Sequence, residues 1–242
     1  MKKLFLVVFS LTLIINSFPA FESTYKPLEY EKVLFINGNI LDGEGNEFLN
    51  TDLFINDGKI VAIGQGISVD DEDVKIINAK NKWITPGIID IHSHMGVYPA
   101  PSVRTSSDGN EATSPVTAEV WAEHSMWVQD PQYSLALKGG VTTFHVLPGS
   151  ANLIGGRGVT VKNLQRNTIQ SMKYPNAKHS LKMACGENPK RVYGNRGQAP
   201  STRMGNFAGY RKAWIEAENY LDKLEAYDSK TDEDKMIESP PK

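Results

Sequence analysis

Cysteine is nearly missing from this chain: Cys185 is the only one. That excludes a disulfide framework within the chain and a multi-cysteine zinc ribbon. Cys185 follows an apolar run and reads as a small core residue rather than a nucleophile. An excess of one charge is missing as well. Lys and Arg total 26 against 28 Asp and Glu, a net charge of −2, with no basic stripe. Nucleic acid is therefore not an expected partner. Long apolar runs are missing too. The longest, Leu4 to Ile15, is too short to span a bilayer comfortably. Histidine is scarce, with five in 242 residues and none after Met183. What remains is an ordinary globular composition, 40% hydrophobic and 22% charged, in a chain able to bury a real core as one large domain or two small ones.

Two of the five histidines lie in one stretch, Thr85-Pro86-Gly87-Ile88-Ile89-Asp90-Ile91-His92-Ser93-His94. Pro86-Gly87 breaks the chain, and an apolar strand is expected to start after it. Strict alternation puts Asp90, His92 and His94 on one face and Ile89, Ile91 and Ser93 on the other. Residues two apart on a strand are separated by roughly 6.6 Å. Imidazoles at that spacing can lean onto one ion at metal–nitrogen distances of about 2.0–2.1 Å. The plainer alternative is a buried strand with two satisfied histidines.

The same residues carry a resemblance. Pro86-Gly87-x-x-Asp90-x-His92-x-His94 resembles the Pro-Gly-x-x-Asp-x-His-x-His motif of the amidohydrolase superfamily, and in particular its imidazolonepropionase-like branch. Gly139-Gly140-Val141-Thr142-Thr143 and Pro200-Ser201-Thr202-Arg203-Met204-Gly205 resemble later parts of the same branch, and the likeness runs from about Val33 to Tyr227. It implies an α/β fold: a partial (β/α)8 TIM-type barrel, its first three to four βα units, preceded by a small β-sandwich subdomain. It also implies His92 and His94 as ligands of a divalent metal, zinc in type, with one or two ions.

In chain order, Lys2-Lys3 and the run to Ile15 predict a signal peptide over residues 1–20, cleaved after Ala20, with export as the consequence and no stable membrane span after cleavage. An uncleaved anchor is the alternative. Residues 21–32 are a polar connector. Residues 33–82 hold several short strands, including a hairpin around Asp57-Gly58, and form the sandwich part. Residues 83–227 form the barrel part. Thr117 to Val128 has helical character. A second helix begins after Asp130 as N-cap, with Pro131 at the first helical position, and Gly139-Gly140 stops it before the strand Val141 to Leu147. Pro148 to Gly158 is a glycine-rich loop without the Gly-Lys-Ser/Thr of a nucleotide loop. From Asn206 a helix carries one apolar stripe, Phe207, Tyr210, Trp214, Ala217, Leu221 and Leu224, expected to pack on a core. Residues 228–242 are a charged tail or linker.

The resemblance implies a third ligand from a middle strand, either a glutamate or a carboxylated lysine. Glu187, just past a strand end, is the first candidate, and Lys182 and Lys162 are the next. All three being solvated or ion-paired is the alternative. Asp90 is assigned to support the ligands by hydrogen bonding. Arg157 is a candidate to hold a substrate carboxylate as a bidentate pair. The implied chemistry is hydrolysis of amide or other C–N bonds in a cyclic amide or peptide-like small molecule. The family pattern also needs two later histidines and a general-base aspartate. These are expected beyond Lys242, so a missing C-terminal half is an expected partner. The reading from another class is a non-catalytic half-barrel that needs a second chain.

Overall fold

The computed structural model describes residues 21–29 and 31–241. The expected signal peptide lies outside the described residues. Among those residues no helix is long and apolar enough to cross a membrane.

The first layer is a five-stranded sheet of β1 (Val33–Leu41), β2 (Glu47–Asn56), β3 (Lys59–Gly64), β4 (Lys75–Asn78) and β5 (Trp83–Ile84). β3, β2 and β1 form an antiparallel meander, while β4 and β5 both pair in parallel with the far edge of β1. The β2–β3 turn has positive φ at both Asp57 (50°) and Gly58 (67°). That is the twist a two-residue hairpin needs and the reason an Asp-Gly pair marks it. The expected sandwich is seen as this single sheet among the described residues.

The second sheet holds β6 (Ile88–Ser93), β7 (Val141–Val146), β8 (Ile154–Lys162) and β9 (Ser180–Met183), in that order. β6 and β7 are parallel and joined through α1 (Gln132–Lys138), which gives one βαβ unit. Asp130 is fully buried and accepts hydrogen bonds from the backbone N–H groups of Gly96, Ala100 and Gln132. It thus ties the loop after β6 to the start of α1. Gly140 at φ +87° ends that helix, a conformation that disfavours side chains.

The run of three to four successive βα units is corrected here. β8 is antiparallel to both β7 and β9, so the sheet is mixed. The stretch expected to be one glycine-rich loop is half strand, since Ile154 to Gly158 belongs to β8. Antiparallel neighbours need only a short connection and no crossover helix. β6, β7 and β9 still run in the same direction, so their C-terminal ends open on one edge. The helix expected over Thr117 to Val128 is also replaced. Only Ala122–His124 forms a 3₁₀ turn, and the preceding residues run extended beside β8 through the Val116–Ile154 and Trp121–Arg157 bridges. Pairing to a strand outweighs a weak helical preference.

The core lies on one face of this sheet, where Phe144, Val146, Val159 and Val161 pack with Tyr133 of α1, Val97, Ala122 and Met172. The other face carries Thr160 and His145. After β9 come α2 (Glu187–Gly194), α3 (Arg203–Asp228) and α4 (Asp232–Ile237). Thr202 caps α3, its Oγ1 accepting from Gly205 N–H at 3.1 Å. The apolar stripe of α3 is not packed on a core, a second correction: Phe207, Trp214 and Leu221 are exposed. Contact is confined to the first turns, where Asn206 and Tyr210 donate to the carbonyls of Cys185, Gly186 and Ala184. The charged tail contains α4, capped by Thr231.

Candidate metal centre

His92 lies near the end of β6 and His94 just past it. Their rings meet edge to face with centroids 5.4 Å apart. A register irregularity between Asp90 and Ser93 interrupts simple alternation. Ser93 turns inward and is buried opposite Val146. Asp90 spans the irregularity, its Oδ1 accepting from the His92 backbone N–H at 3.0 Å. Its hydrogen bond therefore goes to the strand and not to an imidazole. The β6–β7 pairing continues past the strands, Leu147 N–H donating to the Ser93 carbonyl at 2.9 Å. That places the Leu147 carbonyl 2.9 Å from His94 Nδ1. A proton held there leaves Nε2 as the free lone pair, the arrangement that metal-binding histidines use.

Lys182 arrives from β9. It pairs across the ladder with Gly156, and its Nζ lies 3.0 Å from His92 Nε2. Its stem passes Gly155, where a Cβ would sit 3.8 Å from Lys182 Cγ, an ordinary van der Waals distance. The lysine is only 7% exposed, and no carboxylate among the described residues pairs with it. Burial pushes its pKa down. His92 is also held below the ordinary imidazole value, first by the adjacent Lys182 charge, then by burial and by His94, with Asp90 opposing.

The other candidates are elsewhere. Glu187 opens α2 with an exposed carboxylate 2.7 Å from Arg191 Nε, one turn along. Among the described residues no three His, Cys, Asp or Glu side chains are grouped to hold a metal. Glu187 thus does not join the histidines, and the side chain found beside His92 is Lys182. Lys162 sits at the opposite end of β8, paired with Thr143, its Nζ over the Tyr25 and Tyr174 rings at 4.7 and 4.9 Å. Arg157 pairs with Leu181, so it projects from the face of β8 opposite Lys182.

His145 has both ring nitrogens engaged, by Thr160 Oγ1 at 2.9 Å and Ser180 Oγ at 2.7 Å. Burial, then His179 and His92, hold its pKa below the usual value. Thr160 and Ser180 were not singled out from the sequence. The available signal was alternation, since Thr160 falls between the core residues Val159 and Val161.

The site fits a metal on its donor chemistry: two imidazoles, one with its Nδ1 engaged by a carbonyl, and a buried amine without a counter-charge.

No family model matches the chain. The crystal structure of an amidohydrolase from Thermotoga maritima superposes with a TM-score of 0.73 at 38% identity, over 83% of this chain and 53% of that one. An amidohydrolase of Hapsidospora irregularis is 37% identical over 155 residues, which is 60% of this chain and 16% of that protein. The chain belongs to the amidohydrolase superfamily. A dihydroorotase of Bacillus cytotoxicus is 31% identical over 117 residues, 48% of this chain and 21% of that protein. This amidohydrolase chain therefore spans about half of the solved relative (53%) and under a quarter of the two curated ones.

Proposed function

We propose that this chain forms the metal-binding part of a hydrolase that cleaves amide or other C–N bonds in a cyclic amide or peptide-like small molecule. The reading is carried by one observation, the convergence of Lys182 on His92 beside His94. These three residues would hold a divalent ion of the zinc type. When bound, such an ion supplies a Lewis acid and a hydroxide at neutral pH. The Leu147 carbonyl sets the His94 tautomer, and Asp90 holds the backbone that aims His92. Burial raises the neutral fraction of the Lys182 amine. A neutral amine takes up carbon dioxide as a carbamate, releasing a proton, and so offers anionic oxygen donors.

His92→Ala and His94→Ala are each expected to reduce bound zinc to background in elemental analysis, with the far-ultraviolet circular dichroism unchanged. Each substitution removes a donor and no fully buried apolar group. Full metal content in either variant contradicts the assignment.

A second reading, a half-barrel that needs another chain, is favoured by the bare edge of β6. Ile89 and Ile91 are 62% and 76% exposed, and among the described residues β6 pairs only with β7. Each such side chain left in water forfeits about 1.5–3 kcal/mol, and an unpaired edge invites association. Co-expression with a polypeptide supplying later barrel strands is expected to protect the amides of Ile88–Ser93 from hydrogen exchange. Equal protection in the chain alone, as a monomer, counts against this reading.

A further inference from the structure

The face of β8 that turns away from Lys182 carries a second arrangement. Arg157 projects there between Gly156 and Gly158, and its guanidinium carbon lies 4.4 Å from the centroid of the Trp121 ring. Trp121 is fixed from several sides. Its backbone bridges to Arg157, and the Arg157 N–H donates to the Val120 carbonyl at 2.7 Å. His179 meets the indole edge-on at 4.6 Å, while its own Nδ1 lies 2.7 Å from the Gly158 carbonyl. Arginine, indole and imidazole thus form one braced unit. They line a groove of about 600 Å3 whose far wall includes Phe21 and Tyr174.

Charge in this groove is uneven in a way that points to a ligand. Lys173 also lines it, but Glu123 takes up that charge at 2.5 Å. Among the described residues no carboxylate lies within ion-pair distance of Arg157. A guanidinium resting on a ring keeps its in-plane N–H donors for an acceptor, and a carboxylate matches that fork with two bonds. Glu22 stands on the groove wall. Its charge disfavours a dianion such as phosphate more than it disfavours a single carboxylate. Phe21, Trp121 and Tyr174 offer aromatic surface for an apolar body attached to that carboxylate.

We infer that the Arg157–Trp121–His179 groove is a binding site for a small monocarboxylate with an aromatic or apolar body. The site is separate from the metal centre, since it occupies the other face of β8, and it goes beyond the hydrolase reading. It stands or falls independently of whether the histidines hold zinc.

The test uses the whole chain without added metal, at low concentration, with N-acetyl-L-phenylalanine as probe and N-acetyl-L-phenylalaninamide as its uncharged twin. Tryptophan fluorescence and NMR line positions report binding. The acid is expected to bind about tenfold or more tightly than the amide, the size of a charge-assisted hydrogen bond. Arg157→Leu is expected to abolish that preference, and Trp121→Phe to remove the fluorescence response. Arg157→Lys keeps the charge without the fork and is expected to fall between, which guards against misfolding of the leucine variant. Inorganic phosphate is expected not to compete. The inference is overturned if acid and amide bind alike, if Arg157→Leu binds the acid as the parent does, if phosphate displaces the acid, or if no saturable binding is seen by about 10 mM.

Discussion

Replacing Lys182 with methionine is expected to strip the chain of bound zinc while leaving the fold intact. Methionine has nearly the length of the lysine stem and no charge. It therefore fills the same space beside Gly155 without the cost of desolvating an amine. Thermal stability without metal should hold or rise. Zinc affinity, measured by equilibrium dialysis, should fall by about 100-fold or more, because even the outer partners of metal ligands are worth about 10–100-fold. Lys182→Glu should retain more zinc than the methionine variant, since it returns a carboxylate to the position. A methionine variant that binds zinc like its parent would mean that His92 and His94 find their third donor elsewhere.

The second large effect concerns stability. Lys173 Nζ lies 2.5 Å from Glu123 Oε2, and the two side chains are 8% and 1% exposed. The same ammonium donates to the Phe21 carbonyl, and the Lys173 carbonyl accepts from Ser23 Oγ at 2.7 Å. The pair therefore ties the connector at residues 21–25 to the loop before β9 and to the 3₁₀ turn. Among the described residues Glu123 Oε1 has no hydrogen-bond partner, and His124 Nε2 lies 3.7 Å from it, too far for a hydrogen bond, so Lys173 is the main support of this carboxylate. Lys173→Met leaves it buried and uncompensated, and the expected loss is about 3–5 kcal/mol in urea denaturation. Against a total of about 5–15 kcal/mol that is a large share. Lys173→Met with Glu123→Leu should recover most of it, because neither charge is then stranded. If the single and double replacements are equally destabilising, packing rather than charge holds this junction.

The two halves of the centre differ in how much of them is local. Pro86-Gly87 and the run to His94 form a contiguous signal, and the closeness of His92 and His94 follows from their being two residues apart in the chain. The Asp57-Gly58 turn, Asp130 at the head of α1 and the Gly139-Gly140 stop are local too, since each is set by a few neighbouring φ/ψ choices. The branch-level reading of the motif rests on resemblance alone. Lys182 stood behind Glu187 as a candidate because sequence position past a strand end cannot show which way the chain turns. Gly186 begins a helix there, which carries Glu187 away to Arg191.

The sequence by itself determined the local pieces: the Asp57-Gly58 hairpin turn, where α1 begins and stops, and that two histidines lie together. Only the tertiary structure decided direction and company. Whether β8 runs with or against β7 depends on pairings between residues far apart, and that choice sends Arg157 to one face and Lys182 to the other, beside His92. The same pairing holds Val116 to Trp121 extended where local preference favours a helix. The stripe on α3 has the right period, but period shows only that a face can be buried. Burial needs a partner surface, and among the described residues α3 meets one only along its first turns.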